Sequence, residues 1–415
     1  MKRLIKKGGA ILLISLFAIG LTAQEWQRGR GGMGQPPKFV FLFIGDGMGF
    51  SQLSLAEAYL STLKGEIANE ALSFTKFPVM GMATTYSANS YITCSSAAGT
   101  ALSTGFKTKN NMLGMAPDTT ALESITYKIH RTGVPIGIVS SVTMDHATPA
   151  AFYASAESRK QYYDIALQIP QTGFEFYGGG DFINPTGKER DQRDIYEILK
   201  EGGYSIAKGL KEYRELKKEN REKIMLFQNE GKSGDLPYAL DREKGDMCLS
   251  HVVAAAIGHL YGTKGFFIMA EGGKIDWAGH SNDAKANLLE TLDFAAAVEV
   301  AFRFYSKYPN ETLIVVTADH ETGGLALGRE KGYKLDLTQL EEQKSSKKYP
   351  ESDESDNAKI VEMNKKANVG WTTSSHTGSA VPVFAIGPGS RNFSGRMDNT
   401  EIPRKILQVM RIPFE

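Results

Sequence analysis

Three of the seven histidines stand beside residue types that bind metal ions. Asp276 and His280 are four residues apart in IDWAGHSND, a spacing that can place both side chains on one side of a helical turn. Asp319 and His320 are adjacent, and His376 lies in a loop of small residues, SSHTGS. One such histidine alone would more often be a surface or core residue. Three groups of this kind in one chain instead indicate a metal centre assembled from separate segments.

The elements that must position these residues are apolar runs typical of buried strands. Metal-type carboxylates follow three of these runs: Asp46 after 38–45, Glu271 and Asp276 after 265–270, and Asp319 at the end of 312–318. Further runs of this type are 134–141, 223–228 and 381–387, and helical patterns cover 51–63 and 283–308. Strands that alternate with helices predict an α/β fold, with a central, largely parallel sheet flanked by helices. Because ligands bind at the carboxyl ends of such strands, we expect these side chains to meet at one edge of the sheet.

Composition and charge exclude some classes of function. The chain has 415 residues, a formal net charge of +1 and 41% hydrophobic residues, which is ordinary for a globular protein. A protein that binds nucleic acids generally would need a basic face, so no such binding is expected. The two cysteines, Cys94 and Cys248, could pair in an exported protein, but two cysteines are not a disulfide framework.

The first residues have the pattern of a secretory signal peptide. Four basic residues lie within the first seven, and the apolar run 9–23 ends in small residues. A membrane anchor is the alternative, but this run is shorter than the ~20 residues that span a bilayer. We expect cleavage after Ala23, no membrane span in the mature protein, and a periplasmic or secreted location. Residues 24–37 are then a flexible lead-in rich in Gly and Pro.

Two polar stretches interrupt the strand and helix pattern of residues 38–415. Residues 200–245 are rich in Lys and Glu, and residues 326–370 contain KSSKKYPESDESDN. We expect both to be insertions at the rim of the sheet, as solvated loops. A role in shaping access to the site is the alternative.

Six motifs occur along the chain in a characteristic order: IGDGMG (44–49), TCSSAAGTALSTG (93–105), DHATPAAFYA (145–154), AEGGKIDWAGH (270–280), TADHETGG (317–324) and SSHTGS (374–379). With them the chain resembles the alkaline phosphatase family, from about residue 38 to its C-terminus. The resemblance implies a catalytic domain over 38–415 with an alkaline-phosphatase-like α/β fold. It also implies an enzyme that hydrolyses small phosphate monoesters to an alcohol and inorganic phosphate.

The resemblance implies two zinc ions and one magnesium ion, with their ligands. The first zinc would be held by Asp276, His280 and His376, and the second by Asp46, Asp319 and His320 with Ser95 as the reactive ligand. Magnesium would be held by Asp46, Thr148 and Glu271. The residue types agree with this division, since zinc accepts nitrogen and oxygen ligands whereas magnesium prefers oxygen alone.

The resemblance also implies the catalytic residues. The family pattern is a nucleophile, four small residues and a threonine, so Thr100 fits Ser95 as the nucleophile rather than Ser96. Ser95 would form a phosphoserine that is then hydrolysed. Arg159, in ESRK, matches the phosphate-binding arginine, whose planar fork can hold two phosphoryl oxygens.

Three residues next to the implied ligands depart from a well-known bacterial form of the family. Cys94 precedes the nucleophile where Asp is common, Trp277 follows the zinc-binding Asp where Lys is common, and His146 replaces an acidic residue. The direct ligands are intact. The departures put in doubt how Arg159 is held and how tightly magnesium binds.

Two other functions remain open on the sequence. A phosphodiesterase or sulfatase of the same superfamily is the first, although Cys94-Ser95-Ser96-Ala97-Ala98 lacks the Pro and Arg of the sulfatase motif. A non-catalytic phosphate- or metal-binding protein is the second, and the complete ligand set argues against it. A homodimer is common in the family and is expected as a possibility here.

Overall fold

The computed structural model describes residues 35–68, 70–228, 234–347 and 354–415. The predicted signal peptide and most of the lead-in lie outside these residues. The strands are β1 Phe39–Gly45, β2 Val79–Thr84, β3 Ile136–Thr143, β4 Phe176–Gly180, β5 Ser205–Lys208, β6 Ile224–Phe227, β7 Phe266–Gly272, β8 Thr312–Thr317, β9 Glu321–Thr322, β10 Leu325–Leu327, β11 Val369–Trp371, β12 His376–Thr377, β13 Val381–Ile386 and β14 Gly395–Asp398.

The α-helices of the described residues are α1 Phe50–Leu63, α2 Ser95–Thr104, α3 Ile125–His130, α4 Ala147–Ala150, α5 Tyr162–Ala166, α6 Ile169–Thr172, α7 Ile195–Glu201, α8 Gly209–Lys218, α9 Leu249–Leu260, α10 Lys274–His280, α11 Ala284–Lys307, α12 Glu354–Ala367 and α13 Glu401–Met410. Short 3₁₀ turns lie at Phe74–Lys76, Leu337–Glu342 and Ser390–Phe393. None of the helices in these ranges is long and apolar enough to cross a membrane.

Ten of the strands form one sheet in the order β14-β2-β13-β8-β1-β7-β3-β4-β6-β5. Neighbours pair in parallel throughout, except that β13 runs antiparallel to both β8 and β2. The central strand β1, FVFLFIG, is buried along its whole length because helices cover the sheet. This confirms the predicted α/β class and its largely parallel sheet.

Parallel pairing places the carboxyl ends of β1, β7 and β8 next to one another. In the register of the sheet, Ile44 lies opposite both Glu271 on β7 and Thr317 on β8. The residues that follow these strands therefore leave the sheet at the same edge.

Small residues bring the site-bearing segments close together. Gly47 has a φ of +75°, and a Cβ there would lie 2.7 Å from the Cα of Asp276, so the turn after β1 requires glycine. The helix α2, SSAAGTALST, is buried at every residue. A Cβ on Gly99 would lie 3.2 Å from the Cβ of Ala151, so α2 packs tightly beside α4.

The expectation that 200–245 is a solvated loop is wrong for much of that segment. It contains β5, α8 and β6, and the two strands extend the central sheet at one end. The strand β6 confirms the apolar run predicted at 223–228, whereas β5, SIAK, has a mixed pattern because an edge strand needs less apolar surface. Residues 326–370 likewise contain α12 and β11, and β11 pairs with β10 beside the sheet.

Candidate metal centre and nucleophile

The helix α2 presents Ser95 at its first residue. Cys94 has an extended backbone before the helix begins, so Ser95 lies at the positive end of the helix dipole. Ser95 is buried, and its Oγ is 3.2 Å from Nε2 of His320. The side chain of the predicted nucleophile therefore faces one of the predicted zinc ligands.

The first cluster comprises Asp46, Asp319 and His320, which follow the adjacent strands β1 and β8. Nε2 of His320 lies 3.4 Å from Oδ1 of Asp46 and 3.1 Å from Oδ2 of Asp319. All three residues are buried, and their ligand atoms lie within 4.8 Å of one another. Neither of these two carboxylate oxygens has a hydrogen-bond partner among the described residues.

The second cluster comprises Asp276 and His280 on α10 with His376 on β12. Oδ1 of Asp276 lies 3.4 Å from Nε2 of His280 and 3.5 Å from Nε2 of His376. The two histidine Nε2 atoms are 3.1 Å apart. The predicted helical turn thus places Asp276 and His280 together, and the antiparallel pair β9–β12 brings His376 to them.

The hydrogen bonds of the two outer histidines decide which ring nitrogen can bind a metal. Nδ1 of His280 is 2.7 Å from the carbonyl oxygen of Ser374, and Nδ1 of His376 is 2.8 Å from that of Thr93. A carbonyl oxygen can only accept, so each Nδ1 carries the proton and each Nε2 presents a lone pair. Burial also lowers the pKa of His376 to about 4, which favours the neutral ring that binds metals.

The same reasoning applies to His320. The hydroxyl of Thr322 donates to Asp276 and lies 3.2 Å from Nδ1 of His320. Since the Thr322 proton is already used, Nδ1 of His320 is the donor in that contact and its Nε2 also presents a lone pair. Imidazole nitrogens and carboxylate oxygens that converge in this way are the ligands that zinc accepts, so the donor set fits two N/O metal sites.

A third group consists of oxygen ligands. The Thr148 hydroxyl donates to Oδ2 of Asp46 at 3.3 Å, and Ser140, opposite Glu271 in the β3–β7 register, donates to that carboxylate. The second oxygen of Glu271, Oε1, has no hydrogen-bond partner within the described ranges. Burial raises the pKa of Glu271 to about 7. Burial likewise raises that of Asp46 well above its ordinary value, with the neighbouring carboxylates adding to the effect. These oxygens fit a magnesium ion.

Arg159 is held beside the centre by His146. Nη2 of Arg159 lies 3.2 Å from Nε2 of His146, and because a guanidinium can only donate, the imidazole accepts. Burial, together with the charge of Arg159, lowers the pKa of His146 to about 3. The ring of Trp277 lies edge-on to that of His146, with centroids 5.7 Å apart.

Cys94 makes no direct hydrogen bond to the Arg159 guanidinium. Its Sγ accepts the amide of Asn111 at 3.1 Å and lies 3.1 Å from the hydroxyl of Ser96. The backbone of Arg159 in turn donates to the Asn111 carbonyl at 2.8 Å. Both cysteines are free, so the pairing of Cys94 with Cys248 does not occur.

Two residues that hold the metal-type side chains, Thr322 and Ser140, were not predicted from the sequence. Thr322 joins the two zinc-type clusters, and Ser140 holds Glu271. Thr322 lies in the quoted motif TADHETGG, two residues after His320, where its position was the available signal. Ser140 sits within an apolar strand pattern and has no such signal.

A parallel sheet that gathers, at its carboxyl edge, metal-type clusters and a serine at the first residue of a helix defines a metal-binding hydrolase with an α/β fold. The model of the family described as alkaline phosphatase matches residues 37–184 and 178–412. "Alkaline phosphatase 3" of Bacillus subtilis (strain 168) is 32% identical over 440 aligned residues, which cover 94% of this chain and 92% of that protein. The chain belongs to the alkaline phosphatase family, and it is a phosphomonoesterase.

Solved structures agree with this assignment. The alkaline phosphatase from the Antarctic bacterium TAB5 has a TM-score of 0.74 and 31% identity, covering 91% of this chain and 100% of that one. The Thermus thermophilus alkaline phosphatase has a TM-score of 0.80 and 26% identity, covering 93% and 94%. A mutant of the TAB5 enzyme was solved with Mg bound in its M3 site.

Proposed function

We propose that this chain hydrolyses phosphate monoesters through a phosphoserine on Ser95, with two zinc ions and one magnesium ion. The observation that carries the proposal is the position of the Ser95 hydroxyl, 3.2 Å from Nε2 of His320, which itself lies 3.4 Å from Oδ1 of Asp46 and 3.1 Å from Oδ2 of Asp319. The first zinc would be held by Asp276, His280 and His376, the second by Asp46, Asp319 and His320, and magnesium by Asp46, Thr148 and Glu271.

The bound ions would supply positive charge to the attacking and leaving oxygens of an in-line displacement, and would lower the pKa of the serine hydroxyl. Ser95 Oγ then forms a bond to phosphorus while the ester P–O bond breaks and the alcohol leaves. Water next attacks the phosphoserine, which releases inorganic phosphate and restores the hydroxyl. Arg159 holds two phosphoryl oxygens during both steps, and its hydrogen bond to His146 keeps it in place.

Metal removal with a metal analysis tests this assignment. EDTA should abolish hydrolysis of p-nitrophenyl phosphate, and zinc with magnesium should restore it better than either ion alone, because one ligand group contains only oxygens. Mass spectrometry of the native protein should find two zinc ions and one magnesium ion. Full activity in metal-free protein, or a preference for bis-p-nitrophenyl phosphate over the monoester, would contradict the proposal.

We further propose that the chain is exported, that residues 1–23 are a cleaved signal and that 38–415 form one catalytic domain. N-terminal sequencing of the mature protein should begin at Gln24. A homodimer is the oligomer that we propose, and sedimentation velocity tests it.

A further inference from the structure

Glu321 is a buried carboxylate beside the metal centre that the proposed reaction does not use. Its Oε1 accepts hydrogen bonds from Nε2 of Gln52 at 2.8 Å and from the amide of Leu325 at 3.3 Å. Its Oε2 accepts from the amide of Gly324 at 3.2 Å and from the hydroxyl of Thr377. A carboxylate has about four lone-pair positions, so these bonds leave Glu321 no position for a metal ion. Glu321 therefore acts through the residues that it holds.

The bond to Thr377 fixes the short strand that carries His376. In the antiparallel pair β9–β12, Thr377 lies opposite Glu321, and His376 lies opposite Thr322. Both strands have only two residues, and a pair this short has little stability of its own. The side-chain bond between Thr377 and Glu321 therefore adds a second fixed point, directly next to the zinc-type histidine.

Gln52 links Glu321 to the turn that follows Asp46. Gln52 lies in the first turn of α1 and is fully buried. Besides its bond to Glu321, its Nε2 donates to the Thr322 carbonyl at 3.0 Å, and its Oε1 accepts the amide of Gly49 at 3.0 Å. A Cβ on Gly49 would lie 2.4 Å from Cγ of Glu321, so only glycine allows this close approach. The carboxylate is thereby packed against the start of α1.

The network of Gln52, Glu321 and Thr377 joins three segments that supply ligands to the two zinc-type clusters. His320 directly precedes Glu321, and His376 directly precedes Thr377. The rings of His320 and His376, one from each cluster, stack with their centroids 3.6 Å apart. A shift of β12 would therefore change the separation of the two clusters.

We propose that Glu321 is a positioning residue. Through Thr377 and Gln52 it holds His376 beside His320, and it thereby sets the separation of the two zinc sites. Partners that orient a metal ligand typically change metal affinity or activity by about 10- to 100-fold when they are replaced. This inference rests on the proposed function, since it takes from it the assignment of zinc to the two clusters. Zinc binding is measured without turnover, so the two proposals can be tested apart.

The test removes the hydroxyl of Thr377 without removing the strand. Thr377→Val has nearly the same shape and keeps the backbone pairing of β12, but it loses the donor to Glu321, whereas Thr377→Ser keeps that donor. Thr75→Val is the matched control. Thr75 is also half-buried, and its hydroxyl donates to Glu57 at 2.6 Å in a segment that carries no predicted ligand.

A double-mutant cycle isolates the bond between Thr377 and Glu321. It is needed because the Thr377 hydroxyl also accepts the amide of Ser379 at 3.4 Å, and Thr377→Val loses that contact too. Glu321→Gln keeps the size of the side chain but has one acceptor oxygen instead of two. It is measured alone and combined with Thr377→Val.

Titration of the metal-loaded proteins with a zinc chelator should find one zinc ion bound about tenfold more weakly in Thr377→Val than in the wild type. Thr377→Ser and Thr75→Val should bind zinc as the wild type does. In excess zinc, kcat of Thr377→Val for p-nitrophenyl phosphate should stay about tenfold below that of the wild type, while KM changes by less than about twofold, because the separation of the ions acts on the transition state. The combined variant should lose less zinc affinity than the sum of its two single variants.

Wild-type zinc affinity in Thr377→Val, an equal loss in Thr75→Val, no rescue by Thr377→Ser or additive losses in the combined variant would each overturn the inference. Urea unfolding of the metal-free proteins separates a purely structural role. A lower urea midpoint in Thr377→Val together with wild-type zinc affinity would show that the network only stabilises the fold. Failure of the wild type to hydrolyse any monoester would overturn the proposed function instead, since zinc binding needs no turnover.

Discussion

Ser95 and Ser96 are adjacent at the start of α2, but their hydroxyls face different groups. The Oγ of Ser95 lies 3.2 Å from Nε2 of His320, whereas that of Ser96 lies 3.1 Å from Sγ of Cys94. This geometry agrees with the family pattern, in which the spacing to Thr100 makes Ser95 the nucleophile rather than Ser96. Only Ser95 is directed at a predicted metal ligand.

We expect Ser95→Ala to lower kcat for p-nitrophenyl phosphate by several orders of magnitude and to abolish the phosphoenzyme, because the covalent route loses its nucleophile. Ser96→Ala, the matched control, should keep kcat and the amount of phosphoenzyme within a small factor of the wild-type values. Trapping with labelled phosphate at acid pH measures the phosphoenzyme. Labelled phosphate on the Ser95→Ala protein would show that another residue is the nucleophile.

Cys94 occupies the position where Asp is common, and it does not hold Arg159. Arg159 is held instead by its hydrogen bond to His146. Removing it in His146→Ala should weaken competitive inhibition by inorganic phosphate about tenfold, since hydrogen bonds to charged groups contribute ~1.5–3 kcal/mol. His130→Ala is the control, because His130 pairs with Glu175 away from this centre. An unchanged inhibition constant in His146→Ala would show that Arg159 needs no support from the imidazole.

At the scale of elements, the second cluster, which would hold the first zinc, depends on a short helix and a two-residue strand. Asp276 and His280 lie on α10, and His376 lies on β12, which pairs only with β9 in the described sheets. The side chain of His376 is 12% exposed, but it lies outside the hydrophobic core clusters of the described residues. The ligand can therefore be lost without loss of the fold.

We expect His376→Ala to retain about one zinc ion fewer than the wild type, with a circular dichroism spectrum like that of the wild type, because one ligand is lost from a site built on peripheral elements. His259→Ala on α9, where the ring bonds to the Glu222 carbonyl, is the control histidine and should keep all metals. Metal analysis after gel filtration gives the measurement. Global unfolding of His376→Ala would indicate that the site also holds the fold together.

At the scale of the whole molecule, buried charged groups link the pH to the stability of the fold. Glu290 on α11 is buried and accepts the amide of Ala239, and burial raises its pKa from an ordinary 4.5 to about 7. Between pH 4.5 and about pH 7, Glu290 is ionised in the unfolded chain but still protonated in the folded chain. The free energy of unfolding therefore falls as the pH rises through this window.

Glu290→Gln keeps an acceptor for Ala239 and removes the titration. Relative to the wild type, its free energy of unfolding should rise by on the order of 2 kcal/mol from pH 5 to pH 8. Urea unfolding at the two pH values gives this difference, and metal effects common to both proteins cancel. Glu299→Gln, a partly exposed glutamate on the same helix, should show no such change. An equal pH response in both variants would refute the assignment to Glu290.

The sequence by itself determined the class of the fold and the segments that meet at its active edge. The runs that became β1, β7, β8 and β13 are apolar along their length because both faces of a central strand are buried, and this leaves a readable pattern. The metal-type residues directly follow such runs. Motif order then indicated the family, with Ser95 and the ligand types.

The runs predicted at 134–141 and 223–228 are β3 and β6, but only the tertiary structure decided strands such as β4 and β5. The strand β4, FYGGG, has too little side-chain surface for a strand pattern. It forms because its glycines fit against β3, where a Cβ on Gly179 would lie 1.7 Å from the Ser140 carbonyl oxygen. The strand β5, SIAK, lies at the edge of the sheet, where a short, mixed pattern suffices.

The tertiary structure also decided which nitrogen of each histidine faces the metal centre and what holds Arg159. The Ser374 and Thr93 carbonyls set the proton on His280 and His376, and Thr322 sets that of His320 through Asp276, 46 residues away in sequence. Backbone carbonyls are the same in every residue, so they leave no trace in the sequence. Contacts of this kind arise only when the chain folds and distant segments come within hydrogen-bond distance.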